Sequence, residues 1–227
     1  MFERLKKVFV PEKLDFQPAP IVNAVSEWAA TQGLSYSGSA DGQRFTLNGV
    51  VGNRPLKLEL GGSTRDFIHG DELLARAELK VNEDAAIFVI NRPLKNALDA
   101  RAYGIYTDTL QTRADPSLPE EMRWMALYGE VGWDSLPKVF WTRYSVLADR
   151  REQAMDWIGP KLAAMLVSWP APGAEPALPF IMMLLRGKAY LRMQYTSGDM
   201  ATLAHATAVF CNACESALAS FSTDISL

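Results

Sequence analysis

Three runs between Phe45 and Val81 carry apolar residues on every second position, a period that builds strands and cannot build an amphipathic helix. Phe45 and Leu47 alternate with polar neighbours, Gly52-Asn53 supplies a turn, and Leu56, Leu58 and Leu60 alternate with Lys57 and Glu59. Pro55 has no N–H to give to a ladder, so its strand starts there or lies at an edge. Leu73, Ala75, Ala77, Leu79 and Val81 then face one way, opposite Arg76, Glu78 and Lys80. After a turn at 82–84, residues 85–90 are continuously apolar, as in a central strand covered on both faces. These runs predict an antiparallel meander with one dry face.

Helical signals surround it. Pro20 suits the first turn of a helix reaching Gln32, with Ile21, Val25 and Trp28 on one stripe and Gly33 as its cap. Leu94, Leu98 and Ala102 predict a short helix stopped by Gly104. Ser117-Leu-Pro-Glu120 has the spacing of a capping box, opening a helix through Tyr128. Residues 138–147 are rich in β-branched and aromatic side chains and read as a strand. Asp149 and Glu152 cap a helical stretch with Met155, Ile158, Leu162, Met165 and Trp169 on one side, which Gly159-Pro160 should interrupt or kink. Residues 180–186 and 189–195 form a hairpin about Gly187-Lys188, a pair that fits a type II′ turn. A last helix over 199–221 carries Leu203, Phe210, Cys214, Ala217 and Phe221 on its apolar side.

Partly segregated strands and helices predict an α+β protein of two layers, with a mainly antiparallel sheet or sheets and helices packed on one face. Three segments are expected: a basic extended arm over 1–19, a helix, meander and helical insert over 20–130, and a strand-helix-hairpin-helix half over 131–227. The last two can form one continuous domain.

The 227 residues are 48% hydrophobic and 22% charged, which excludes a disordered chain. A net charge of -3 provides no global attraction to nucleic acid, so none is expected as a partner. Two cysteines exclude a disulfide scaffold and suit a reducing compartment. The charged start lacks a secretory core, and no apolar run is long enough to span a bilayer, so the reading is a bacterial-type cytoplasmic protein without a transmembrane segment. Phe2, Leu5 and Phe9 share a helical face beside Arg4, Lys6 and Lys7, an interfacial pattern in miniature that offers peripheral membrane contact.

The stretches Asn48-Gly-Val-Val-Gly-Asn-Arg54 and Tyr144-Ser-Val-Leu-Ala-Asp149 resemble bacterial families known as domains of unknown function. The helix-plus-meander and hairpin-plus-helix order is similar to that of type III secretion chaperones. That resemblance implies a small, acidic, non-catalytic binder and assigns no residue a role.

Among candidate chemical groups, Cys211 and Cys214 share a face deep inside the last helix, beyond the reach of its N-terminal dipole, and read as small buried hydrophobes. His69 and His205 are the only histidines and are too few, with those thiols, for a structural zinc site; neither metal nor cofactor is expected. Gly61-Gly-Ser-Thr-Arg65 has the glycines of an anion cradle but leads to another strand rather than a helix. Glu120 and Glu121 fit a helix N-terminus. Trp124, Trp133 and Trp141 concentrate aromatic surface around the central insert and are the candidate binding residues. The expected function is therefore a non-catalytic interaction protein, accessory or chaperone-like, with a protein partner. The alternative is a small-molecule enzyme such as a hydrolase, its site near His69, Arg65 and Glu72.

Overall fold

The computed structural model describes residues 23–109, 120–170 and 177–222. The N-terminal arm, the first residues of the expected opening helix and Ser117 of the capping box lie outside them. The fold is α+β, built on one antiparallel sheet: β1 (Ser35–Gly38), β2 (Phe45–Val51), β3 (Arg54–Gly62), β4 (Asp71–Glu78), β5 (Ala86–Asn91), β6 (Gly129–Val131), β7 (Tyr144–Ala148), β8 (Phe180–Leu185) and β9 (Lys188–Tyr195). Its helices are α1 (Ala24–Thr31), α2 (Arg92–Thr109), α3 (Glu120–Leu127), α4 (Lys138–Arg143), α5 (Arg151–Trp157), α6 (Pro160–Val167) and α7 (Met200–Phe221).

Strand order is β1-β2-β3-β4-β9-β8-β5-β7-β6, so the two β regions of the sequence join one sheet. The expected meander holds through β2, β3 and β4, then breaks. The β8–β9 hairpin wedges between β4 and β5, with Asp71 opposite Tyr195 on one side and Phe88 opposite Met183 on the other. Residues 79–85 therefore span three strand spacings, about 14 Å, and pass the hairpin tip, where the Lys80 N–H donates to the Gly187 carbonyl at 2.8 Å.

This wedge explains the continuous apolar runs. On one face Ile87, Val89, Met182 and Leu184 join a core covered by α1, α4, α5, α6 and α7. On the other face Ala86, Phe88, Ile90, Ile181 and Met183 meet Leu94 and Leu98 of α2 and Met122 of α3. Helices thus cover one whole face and, at the β5–β8 end, part of the second. The outward faces of β3, β4 and β9 carry the polar members of the alternation instead.

Several local readings shift. The region 138–147 is helix α4 followed by strand β7, because Pro137 at the N-cap position starts a helical turn before the chain extends. α2 runs through Gly104 to Thr109, since one glycine costs a helix only about 1 kcal/mol. Gly159 and Pro160 end α5 and open α6. The break turns Met155 outward while Trp157 is fully buried, its Nε1–H donating to the Ala213 carbonyl at 2.9 Å. No helix among the described residues is long and apolar enough to cross a membrane.

The hairpin closes one residue earlier than expected. Leu185 pairs with Lys188, leaving Arg186 and Gly187 as the central residues at φ of 52° and 71°. Two positive φ values make a type I′ turn, whose twist matches that of the flanking strands. A Cβ on Gly187 would stand 2.9 Å from the Val81 carbonyl oxygen. Gly187→Val should lower unfolding free energy by about 1–3 kcal/mol; a denaturation midpoint equal to wild type would show that the turn relaxes freely.

Candidate functional site

The outward side chains of the wedge, one member from each pair of residues, form a floor. Met183 and Leu185 rise from β8, and Lys188, Tyr190 and Arg192 rise from β9 on the same face. Glu120 and Trp124 of α3, Arg65 of the β3–β4 connection and Arg186 of the turn complete the walls of a pocket of about 270 Å³. A shallower depression of about 210 Å³ adjoins it on the same sheet face, lined by Glu59, Gly61, Gly62, Glu72 and Leu74.

Helix α3 is fastened over the sheet by charge and by stacking. The Arg65 Nε–H donates to Glu121 Oε1 at 2.7 Å, and Glu121 is only 2% exposed. Arg65 also lies 3.7 Å from Glu120. The Arg65 backbone N–H donates to Ser63 Oγ at 2.9 Å, and the Ser63 hydroxyl donates to Glu72 Oε2 at 2.7 Å. The Gly61–Arg65 stretch therefore serves as a strand connection that positions a guanidinium. The Trp124 ring stacks on Phe88 at 5.2 Å between centroids.

Arg192 is the least satisfied member of this cluster. Its side chain is 14% exposed, with Nε 3.0 Å from Glu72 and Nη1 3.9 Å from Glu121. These are ion-pair approaches without hydrogen-bond geometry: Nη1 is buried and donates to no described residue, while Glu121 Oε2 is buried and accepts from none. Burial pushes the Arg192 guanidinium below its ordinary range, partly offset by Glu72. At the rim, Lys188 binds both oxygens of Glu78, at 3.0 and 2.9 Å. Exposed Arg186 has no ion pair with a described residue.

The expected site residues separate. Arg65 and Glu72 belong to this cluster, whereas His69 is exposed and does not line the pocket; its backbone N–H donates to Gln194 Oε1 at 3.0 Å. Of the three tryptophans, Trp124 borders the pocket. Trp133 is 6% exposed and packs edge-on against Trp141 at 5.0 Å, and Trp141 rests on the main core. Trp133 is thus core rather than surface, Trp141 is half-buried against that core, and neither lines the pocket. Glu121 was read as a dipole partner and is a buried counter-ion as well. The missed residues, Lys188, Tyr190 and Arg192, lie on the outward positions of β9 with Gln194, a row of two cations, a phenol and an amide.

The other reactive groups are occupied by packing. Cys211 and Cys214 are free thiols, pushed up by burial. His205 Nε2 lies 2.8 Å from the Met165 carbonyl oxygen, and its ring meets Trp169 edge-on. Tyr144 donates its hydroxyl to the Leu166 carbonyl, and burial pushes it up to about 12. Among the described residues, no three of His, Cys, Asp and Glu are grouped to hold a metal ion.

The fold and pocket define an α+β protein with a cationic and aromatic recess on a half-open sheet face. No family model matches the chain, and no curated protein matches it. Among solved structures, the mycobacterial trehalose monomycolate transport factor A, TtfA, is similar at 12% sequence identity and a TM-score of 0.46, over 84% of this chain and 90% of that one.

Trp133→Ala should cost about 3–5 kcal/mol of stability, as truncation of a buried aromatic does. A melting temperature close to wild type would return Trp133 to the surface and reopen it as a binding residue.

Proposed function

We propose that this chain is a non-catalytic binding protein, an accessory or chaperone-like module that recognises its partner through the pocket over β8 and β9. One observation carries the reading. The lining converges four cationic side chains, one carboxylate, an indole and a phenol on an apolar floor. Such a mixture of apolar surface and a few directional polar groups is how recognition sites combine affinity with orientation. The lining groups are suited to holding: guanidinium and ammonium groups donate, the aromatic rings stack, and Met183 and Leu185 exclude water. The side chains of His69, Cys211 and Cys214 lie outside that lining.

The reading is tested by affinity capture from cell extract of the native host, followed by mass spectrometry of both retained proteins and retained small molecules. Wild type should hold at least one component that Arg186→Glu releases. Arg186 is exposed at the turn, so this substitution should move stability by no more than about 0.5 kcal/mol. Identical retained sets from two equally stable proteins would remove the pocket from the function.

A further inference from the structure

We infer that the pocket takes a small organic carboxylate with an apolar or aromatic body. The carboxylate would be held at the rim by Arg186, and the body would lie against Trp124, Tyr190 and Met183. This deepens the binding reading above and rests on it.

Three features point to that ligand class. The first is unmet donor capacity. Arg192 is already committed, with Nε 3.0 Å from Glu72 and Nη1 buried toward Glu121, so it does not supply the free donors. A planar guanidinium with free N–H groups matches the paired oxygens of a carboxylate, and such charge-assisted bonds are among the strongest available to a protein. Arg186, on the same rim, has no ion pair among the described residues.

The second feature is charge. Arg65, Arg186, Lys188 and Arg192 line the pocket, and Glu120 lines it with them; Glu121 stands against Arg65, Glu72 against Arg192 and Glu78 against Lys188. Each of these cations except Arg186 already faces a carboxylate of a described residue. A single negative charge can therefore be accommodated by the donors that are free, whereas a dianion would add repulsion from the carboxylates behind them. The adjoining depression is acidic, with Glu59 and Glu72, so the anion is directed toward the β9 side.

The third feature is size and surface. A cavity of about 270 Å³ lies just below the ~300–1,000 Å³ of sites that hold drug-sized ligands, a size that suits a small molecule. Its floor holds Tyr190 beside Met183, and its Trp124 wall is backed by the buried Phe88 ring on which it stacks. That surface is apolar and aromatic, suited to a flat body and offering little to a free inorganic ion.

The experiment titrates the full chain with 3-phenylpropionate, phenyl phosphate, inorganic phosphate and the neutral 3-phenylpropanol, following the Trp124 indole and Arg186 Nε–H signals by nitrogen-edited NMR. The inference expects 3-phenylpropionate to shift both signals and to bind more tightly than the other three. Arg186→Gly should weaken it about tenfold, the worth of one charge-assisted hydrogen bond. Glycine suits the φ of 52° at that position, so the variant keeps the turn and its melting temperature. Equal binding of the alcohol would overturn the anion requirement, and tighter binding of phenyl phosphate would overturn the single charge. Inorganic phosphate binding as well as the aryl acid would overturn the apolar body. Silence at both signals with every probe would overturn the ligand class. The binding reading would then stand or fall on the extract capture, which uses none of these compounds.

Discussion

The insertion of the β8–β9 hairpin between β4 and β5 is the constraint on which the other features depend. It makes a single sheet from two β regions that the sequence keeps far apart, and it places the central strands where both faces are covered. Burial on both sides explains why β5 and β8 are apolar at successive positions, while β3 and β4 alternate. It also brings the outward residues of β9 beneath α3. Without the wedge, Arg192 would have neither Glu72 nor Glu121 within reach, and the recess would have no floor.

The ion pairs that fasten α3 are better understood as orientation than as net stabilisation. Bringing Glu121 to near-complete burial has a desolvation cost that its attraction to Arg65 only offsets, and an apolar pair of similar shape would hold the helix as well. What the charged version adds is direction. Arg65 and Arg192 are held from behind by carboxylates, their long side chains losing rotamer freedom during folding rather than during binding. The stacking of Trp124 on Phe88 does the same for the indole, leaving the aromatic wall fixed before anything touches it.

Much of the fold was legible because it follows from periodicity. The alternation in β2, β3 and β4, the two-residue hairpin, the Gly159-Pro160 break and the apolar side of α7 all state local geometry directly. Strand order was not legible, since no short-range pattern distinguishes β4 pairing with β5 from β4 pairing with β9 when both partners are apolar on the inner face. The α4–β7 boundary was missed because Val139, Phe140 and Trp141 favour strands intrinsically, and tertiary packing of Phe140 in the core decided otherwise. The site was half legible: Arg65, Glu72 and Trp124 were named in the sequence, but under two competing readings. Their meeting point depends on contacts between residues distant in the chain, such as Arg65 with Glu121. His69 drew attention by its residue type and its acidic neighbours, and type alone does not bring a side chain to a cavity.

The pairing of β4 with β9 also sets an order of events during synthesis. While the ribosome is still making residues beyond 150, the edge of β4 that will receive β9 has no partner, and its N–H and C=O groups are open to any other extended chain. The inner face of the same strand, with Leu73, Ala75 and Ala77, lacks α7 until the final turns emerge. Contacts so distant in sequence close slowly, because their loop entropy must be overcome before they contribute. The nascent chain therefore passes through an interval in which half a sheet is complete and adhesive, and the emergence of β9 and α7 ends it.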